Sequence, residues 1–322
     1  MRGRVLVVGG AGYVGSHCAR RLKTEGFDVE TLDDLSTGHA EAVTGPLHRV
    51  DLRDATGVAQ IVARGFDAVL HFAAMLNVGD SVADPLTFFD VNVRGTITLL
   101  QAMRQHGCDG LVFSSTCAVY GVPAVVPIAE DTPHAPINPY GQSKAMVEAI
   151  LAESARVHEL RPISLRYFNA AGASLDNTLG EAHRPETHLI PLAIAAAREG
   201  RTMKVFGDDF PTPDGTCIRD YVHVEDLAEA HLLAVERLLA GGTGGAWNLG
   251  TGEGYSVLEV LDAVERATGC PLKREITKRR AGDPPRLVGD PTAAARDLGW
   301  TAGHDIDVIA QSATRWADAP RY

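Results

Sequence analysis

The chain has 322 residues, of which 45% are hydrophobic and 22% charged, a composition typical of a globular protein that buries a core without cross-links. Its formal net charge of −11 disfavours a nucleic-acid partner, because a phosphate backbone requires clustered lysine and arginine side chains. The five scattered cysteines indicate neither a disulfide framework nor a zinc knuckle. With no signal-peptide core and no apolar run of about 20 residues, the sequence predicts a cytoplasmic protein without a membrane partner.

The first half of the chain alternates strand-like and helix-like segments. Short apolar runs predict strands buried on both faces, and longer segments with apolar residues three and four apart predict helices. The predicted strands span residues 4–8, 29–32, 67–71, 110–113 and 163–166, and the predicted helices span 13–23, 54–63, 92–105 and 138–156. This alternation predicts an α/β fold with a doubly wound parallel sheet of the Rossmann type.

The pattern changes beyond residue 168. Loops rich in Pro, Gly and Asp lengthen, and helical patterns recur at residues 189–198, 225–239, 257–267 and 306–314. We therefore expect a Rossmann domain over residues 1–168 and a smaller mixed α/β domain over residues 169–322. Within the second, residues 220–252 are candidates to pack back onto the first.

A glycine-rich segment joins the first predicted strand to the first predicted helix. Gly9, Gly12 and Gly15 form G-x-x-G-x-x-G, which permits a tight turn and lets a pyrophosphate approach the helix N-terminus. Asp33 ends the second predicted strand, where a carboxylate accepts hydrogen bonds from a ribose and repels a 2′-phosphate, so NAD is favoured over NADP. The alternative is an ordinary tight loop followed by a turn residue.

Tyr140 and Lys144 form Y-x-x-x-K near the start of the helix predicted over residues 138–156. The i, i+4 spacing places both side chains on one helix face, where the ammonium is expected to lower the pKa of the tyrosine toward neutrality. The segment from Ser114 to Thr116 is expected to follow the fourth strand, so the Thr116 hydroxyl can reach the same substrate oxygen as Tyr140. The alternatives are a solvated helix face and a simple strand-end cap.

These motifs resemble the extended short-chain dehydrogenase/reductase family. The resemblance also rests on His71-Phe72-Ala73-Ala74, on Asn92 and on Arg166-Tyr167-Phe168-Asn169. Four further segments resemble the UDP-galactose 4-epimerases of that family, namely TCAVYG from Thr116, PYGQSKAMVE from Pro139, FGDDFPTPDGTCIRDYVHVED from Phe206 and RRAGD from Arg279. The similarity spans nearly the whole chain.

The resemblance implies an NAD-dependent isomerase of galactose metabolism that interconverts UDP-glucose and UDP-galactose through a transient 4-keto sugar. It implies that residues 1–168 bind NAD and that residues 169–322 bind the nucleotide sugar. It also implies a homodimer formed by the helices at residues 92–105 and 138–156 as a four-helix bundle.

The resemblance assigns roles to individual residues. It makes Tyr140 the catalytic base and acid, Lys144 the residue that holds the nicotinamide ribose, and Thr116 an assistant at the reacting hydroxyl. With the motifs above, it predicts cofactor contacts from Gly9, Gly12, Tyr13, Val14, Gly15, Asp33, Asp34, Asp51, Leu52, Phe72, Ala73, Ala74, Asn92, Ser114, Tyr140, Lys144 and Tyr167. It predicts substrate contacts from Thr116, Tyr140, Asn169, His188, Leu189, Phe206, Arg219, Arg280, Asp283 and Leu287.

Some of these roles have plain alternatives. Arg219 and Arg280 would bind the diphosphate, which suits the forked arginine side chain, but surface salt bridges explain them equally well. Asp51 would contact the adenine, or it lies in a surface turn. Leu76 occupies the position where some family members carry a lysine that reaches the cofactor, so that contact is absent or replaced. Leu287 stands where some members carry a tyrosine, and it either leaves room for an N-acetylated sugar or packs in the core.

Other reactions compare less well with the sequence. A 4,6-dehydratase would require an acidic pair after Thr116, where this chain has Cys117 and Ala118. A 4-epimerase of UDP-N-acetylglucosamine, a UDP-uronate or a UDP-pentose stays an alternative, as do a net NAD-dependent oxidoreductase and a non-catalytic NAD sensor. The twelve histidines contain no H-E-x-x-H and form no cluster at ligand spacing, so the sequence predicts no metal.

Overall fold

A computed structural model describes residues 2–280 and 283–322. Fourteen strands are described, namely β1 Arg4–Val8, β2 Asp28–Asp33, β3 Leu47–Arg49, β4 Ala68–His71, β5 Gly110–Thr116, β6 Arg161–Tyr167, β7 Asn169–Ala171, β8 Thr202–Phe206, β9 Ile218–Arg219, β10 Tyr221–His223, β11 Gly245–Leu249, β12 Tyr255–Ser256, β13 Lys273–Thr277 and β14 Arg286–Leu287. The α-helices described are α1 Tyr13–Thr24, α2 Ala55–Val62, α3 Val78–Ala83, α4 Pro85–Phe89, α5 Gly95–Gln105, α6 Pro139–His158, α7 Leu189–Glu199, α8 Val224–Leu239, α9 Val257–Thr268, α10 Thr292–Leu298 and α11 Ile306–Asp318.

Seven parallel strands form one large sheet in the order β11-β6-β5-β4-β1-β2-β3. Its apolar strand residues form separate cores on the two faces. One core includes side chains of α1 and α8, and the other includes side chains of α2, α5 and α6. This is the doubly wound parallel sheet that the sequence predicts.

The strand that leads to Thr116 is longer than predicted. β5 continues through Ser114 and Ser115 to Thr116, each opposite a residue of β6, so these residues lie within the strand and not after it. It is also the fifth strand along the chain, because the three-residue β3 was not predicted. The predicted helix over residues 92–105 likewise differs at its start, where a π-helical turn over Asp90–Arg94 precedes α5.

The second half of the chain contributes directly to the large sheet. β11 pairs in parallel with β6 and forms one edge of the sheet, and α8 packs against α1. The remaining elements include three small sheets and a separate apolar core built on α7, α9 and α11. Among the helices within the described residues, none has the length and apolar content needed to cross a membrane.

Candidate active site

The loop between β1 and α1 requires glycine at two positions. Gly9 has φ +83°, and a Cβ there would lie 2.4 Å from the backbone nitrogen of Ala73. A Cβ on Gly15 would lie 2.2 Å from the carbonyl oxygen of Gly9. The glycines therefore let the loop pass close to the segment after β4 and let α1 begin directly against the loop.

The N-terminus of α1 faces this loop without a cap of its own. Gly12 provides no side-chain cap, and the first turn, which contains Tyr13, Val14 and Gly15, has no acidic residue. Orphan N–H groups and the positive end of the helix dipole are thus available to an anion. The Tyr13 side chain lies to one side and donates a hydrogen bond to the carbonyl oxygen of Gly172 at 2.6 Å.

Asp33 lies at the carboxyl end of β2, as predicted. Its Oδ2 accepts a hydrogen bond from the Ala11 N–H at 3.0 Å, and its Oδ1 accepts one from Leu35 at 2.9 Å. Burial raises the pKa of this carboxyl, and the two backbone donors act in the opposite direction. The carboxylate has acceptor capacity left for a ribose, so these residues and the open helix N-terminus fit NAD.

Three further residues predicted to contact the cofactor, Asp34, Asp51 and Leu52, differ in exposure and in the groups that they contact. Asp34 is exposed and accepts from the backbone N–H of Ser36 at 2.8 Å. Asp51 forms an ion pair with Arg53 at 2.6 Å, whereas Leu52 is buried.

The segment after β4 runs beside the glycine loop. The N–H groups of Phe72 and Ala73 both donate to the carbonyl oxygen of Val8, at 2.7 and 3.1 Å, and Ala74 follows them in the chain. Buried Asn92 binds the next residue, Met75, through both ends of its amide, at 2.8 and 3.0 Å. A third hydrogen bond joins the Asn92 amide to the Ser143 hydroxyl at 3.0 Å. The Asn92 side chain is thus committed to positioning this segment against α6.

Thr116, Tyr140 and Lys144 meet at the carboxyl end of β5. Asn138 caps α6 by accepting from the Gly141 N–H at 2.8 Å, which sets Tyr140 in the first turn. The Lys144 ammonium is buried and donates to the Ser114 carbonyl oxygen at 2.8 Å. The Thr116 side chain lies close enough to the Tyr140 phenol to lower its pKa. The Ser114 hydroxyl is hydrogen bonded to the phenol of Tyr167.

The expectation that Lys144 lowers the pKa of Tyr140 toward neutrality is wrong, because the pKa of Tyr140 is raised. Burial raises the pKa of Tyr140 to about 12, and the nearby Thr116 side chain only partly opposes this rise. Burial also lowers the pKa of Lys144 to about 7, against the raising influence of Glu148. Removal from water is thus the largest influence on the pKa of both groups.

Glu148 is a component of the site that the sequence analysis missed. It lies one helical turn beyond Lys144, so Tyr140, Lys144 and Glu148 follow one face of α6 at i, i+4 and i+8. Its buried carboxylate binds the Arg166 guanidinium at 3.0 and 2.6 Å and accepts from the Ser115 hydroxyl. This spacing was the available signal.

Two short strands, β9 and β14, bring together three of the residues predicted to contact the substrate. β9 and β14 pair in parallel with Leu287 opposite Arg219. The Arg219 guanidinium lies 3.6 Å from the Asp283 carboxylate and donates to the Pro284 carbonyl oxygen at 3.0 Å. Leu287 packs against the apolar cluster that also contacts Cys117, immediately after Thr116. The structure thus brings this set toward the carboxyl end of β5, where Thr116 lies.

Phe206 and Arg280 also meet, although they are far apart in the sequence. β8 pairs in parallel with β13, which returns the chain toward the end of β8. The Arg280 guanidinium carbon then lies 4.0 Å from the centroid of the Phe206 ring. Asn169, at the start of β7, donates from its side chain to the Asp220 carbonyl oxygen at 2.8 Å, which places it next to Arg219.

His188 and Leu189 lie at the start of α7, in a setting that the sequence analysis did not foresee. Leu189 packs on the apolar core built on α7, α9 and α11, and His188 is hydrogen bonded to Glu181. Glu181, His183, Glu186 and His188 place potential ligand atoms within 4.8 Å of one another. The prediction that no histidines cluster at ligand spacing is therefore wrong, because E-x-H-x-x-E-x-H converges here without matching H-E-x-x-H.

The chain matches a known family over most of its length. Residues 5–250 match the NAD dependent epimerase/dehydratase family. A UDP-glucose 4-epimerase of Rhizobium meliloti (strain 1021) is 50% identical over 317 residues, which is 97% of this chain and 96% of that protein.

Solved structures show the same similarity. A UDP-glucose 4-epimerase from Brucella ovis in complex with NAD is 47% identical and superposes with a TM-score of 0.95 over 97% of both chains. A UDP-glucose 4-epimerase from Bifidobacterium longum in complex with NAD+ and UDP is 36% identical, with a TM-score of 0.92 over 98% of both chains.

Proposed function

The chain belongs to the NAD dependent epimerase/dehydratase family, and from this membership we propose that it is an NAD-dependent 4-epimerase that interconverts UDP-glucose and UDP-galactose. The observation that carries the proposal is the convergence of Thr116, Tyr140 and Lys144 at the carboxyl end of β5, with Leu287 and Arg219 on the strand pair beside it. Relatives named UDP-glucose 4-epimerase, which match almost the full chain, support the same activity.

The glycine loop and Asp33 would hold NAD, which would supply a reversible acceptor for the hydride at sugar C4 and so permit a 4-keto form of the sugar. Tyr140 takes the proton from the 4-hydroxyl as a phenolate and returns it at the end of the cycle. Since burial raises the pKa of Tyr140, this phenolate requires positive charge nearby, which the Lys144 ammonium and, once NAD is bound, its oxidised nicotinamide would provide.

The nucleotide has to stay in place while the 4-keto sugar turns to present its other face. We assign this anchoring to the second half of the chain. Arg219 and Arg280 offer guanidinium forks for the diphosphate, and Asp283 offers a carboxylate for the uridine ribose. Phe206, against which Arg280 already lies, provides an apolar wall for the nucleotide.

The experiment is an incubation of the purified protein with UDP-galactose and no added NAD. We expect UDP-glucose to appear up to a fixed equilibrium ratio without accumulation of NADH, because the cofactor is regenerated in each cycle. A net oxidoreductase would accumulate NADH, and a non-catalytic sensor would leave UDP-galactose unchanged. If the protein converted only a UDP-uronate or a UDP-pentose, it would still be a 4-epimerase of this family, but the proposed substrate would be wrong.

We propose that Leu287 leaves room for an N-acetyl group at sugar C2. Leu287 is only partly buried, and it lies opposite Arg219 and next to the cluster around Cys117. A leucine at this position is shorter than a tyrosine, so UDP-N-acetylgalactosamine is expected to be converted as well.

We also propose that the protein is a homodimer formed through α5 and α6. The two helices are neighbours, with Arg104 of α5 3.5 Å from His158 of α6. Their outer faces expose apolar side chains at Ile97, Met146 and Val157. Two such helices from each subunit would bury these residues as a four-helix bundle.

Light scattering after gel filtration tests the dimer. The chain has a mass of 34.3 kDa, and we expect twice that value for the wild type. The double variant Ile97→Glu, Met146→Glu is expected to run as a monomer, whereas Val125→Glu, in an exposed loop outside these helices, should stay dimeric. A monomeric wild type would overturn the proposal.

We further propose that the protein acts in the reducing cytoplasm. All five cysteines are free thiols, which supports such a compartment because disulfides form and persist in oxidising ones.

A further inference from the structure

The loop before α7 gathers four side chains of metal-ligand type. This histidine–glutamate cluster consists of Glu181, His183, Glu186 and His188, whose potential ligand atoms all lie within 4.8 Å of one another. The Nδ1 of His183 lies 2.9 Å from Glu181 Oε1 and 3.9 Å from Glu186 Oε1. The Nδ1 of His188 contacts the same Glu181 oxygen.

The charge balance of the cluster points to a cation. The Glu181 side chain is 6% exposed, and a buried carboxylate is costly unless a positive group compensates it. Within residues 2–280 and 283–322, its ion-pair partners are the two imidazoles, and no lysine or arginine lies within salt-bridge distance. The imidazoles must therefore be protonated, or a metal ion must take the place of their protons.

The ligand chemistry favours a transition metal over magnesium or calcium. Two imidazole nitrogens and two carboxylates suit Zn²⁺, whereas Mg²⁺ and Ca²⁺ prefer oxygen ligands alone. With metal–ligand distances of about 2.0–2.2 Å, neighbouring ligand atoms of a tetrahedral zinc site lie about 3.3–3.6 Å apart. The 2.9 and 3.9 Å separations here bracket that value, so small side-chain rotations are enough.

Hydrogen bonds to the backbone hold the cluster in place, and an adjacent cavity leaves it accessible to an ion from solvent. Glu186 Oε1 accepts from the backbone N–H groups of Thr187 and His188, at 2.7 and 2.8 Å. The Trp316 indole of α11 donates to the Glu181 carbonyl oxygen at 2.8 Å, which ties the loop to the C-terminal helix. A cavity of about 430 Å³, lined in part by Glu181, His183 and Glu186, gives an entry path.

We propose that the histidine–glutamate cluster binds one divalent transition-metal ion of the zinc class. The ion joins Glu181 and His183 to Glu186 and His188, which lie directly before α7. It thereby fixes the N-terminus of α7 against α11. The cluster does not include Tyr140 or Lys144, and it lies beside the first turn of α1, where the Tyr13 ring meets the His183 ring edge-on with centroids 6.3 Å apart.

Calorimetric titration with Zn²⁺ tests the site directly. The untagged full chain with its bound NAD is dialysed against a chelator, then against chelator-free buffer, and titrated with Zn²⁺. We expect one saturable site per chain, a zinc-dependent rise in the unfolding temperature, and no displacement by millimolar Mg²⁺.

Two ligand variants and one control identify the residues. His183→Ala and Glu186→Gln are each expected to weaken Zn²⁺ binding by about 100-fold, since ligand loss should cost at least as much as loss of an outer-shell partner. They should also lose the zinc-dependent rise in unfolding temperature. The control His106→Ala removes an exposed histidine at the end of α5, and it should bind as the wild type does.

The competing explanation is a metal-free cluster in which protonated imidazoles neutralise Glu181. Absence of a saturable site in the wild type would establish that explanation and overturn the proposal. Retention of the site by both ligand variants would equally overturn it, because the Zn²⁺ would then be held elsewhere. Circular dichroism of each variant verifies that a loss of binding is not a loss of fold.

Discussion

The carboxyl edge of the large sheet and the short strands of the second half hold their site residues in different ways. Lys144 is buried and fixed by a backbone carbonyl, and Glu148, one turn further along α6, binds Arg166. By contrast, Arg280 is exposed and rests on an aromatic ring, and Asp283 is a third exposed beside Arg219. This difference suits the proposed roles, which are proton transfer for the first region and binding of a flexible, charged ligand for the second.

The largest effect is expected from the first region. Tyr140→Phe removes the proton acceptor and should lower turnover by about 10²–10⁴-fold, the range for loss of a general acid–base group. Bound NAD, measured by absorbance after denaturation, should stay at the wild-type level because the phenyl ring still fills the space. Robust turnover in this variant would contradict the assignment of Tyr140.

A smaller effect of a different kind is expected from the ligand-binding region of the second half. Arg219→Ala removes a charged hydrogen-bond donor, which is worth about 1.5–3 kcal/mol, so the KM for UDP-galactose should rise about 10- to 150-fold. Turnover at saturation should change much less. Arg201→Ala, which removes an exposed arginine paired with Glu199, serves as the control. Equal kinetics for both variants would show that Arg219 forms only protein contacts.

Specificity at sugar C2 provides a finer test of the same region. Leu287→Tyr should lower kcat/KM for UDP-N-acetylgalactosamine by about 10-fold relative to UDP-galactose, in the range expected for a steric clash in a pocket. Leu287→Met keeps the volume and should leave the ratio unchanged. An unchanged ratio in the tyrosine variant would assign Leu287 to core packing.

The smallest expected effect is a shift of the pH profile. Burial lowers the pKa of Lys144 to about 7, and Glu148 opposes this shift. In Glu148→Gln the pKa of Lys144 should fall further, so the ammonium is lost at lower pH and the alkaline limb of kcat/KM moves to lower pH. Glu153→Gln, on an exposed turn of the same helix, should not move it. A fall in activity without movement of that limb would indicate a structural role alone.

The sequence could predict what local patterns determine. The strands at the centre of the large sheet are apolar runs, and β1 has the predicted bounds because Gly9 ends it. The two-residue strands β9, β12 and β14 are too short to produce a periodic pattern. They form because segments far apart in the chain pair with each other, and local sequence patterns do not reveal which distant segments pair.

The site residues likewise fall into those that local spacing predicts and those that depend on contacts between distant segments. Tyr140 and Lys144 are four residues apart and could be recognised from spacing, whereas the contact between Phe206 and Arg280 depends on the pairing of β8 with β13. The raised pKa of Tyr140 depends on how deeply the phenol is buried. The convergence of Glu181 with His183 and His188 depends on a loop conformation that no regular element imposes.

The edge position of β11 has a consequence for biosynthesis. Its partner β6 ends at Tyr167, but β11 begins only at Gly245. A nascent chain therefore carries one unpaired edge of β6 while residues 168–244 are still being made. Exposed strand edges promote pairing with other chains, so we expect nascent chains that stop within this interval to associate with chaperones or with one another. For the same reason, a truncated chain that ends before β11 is expected to be prone to aggregation when it is expressed.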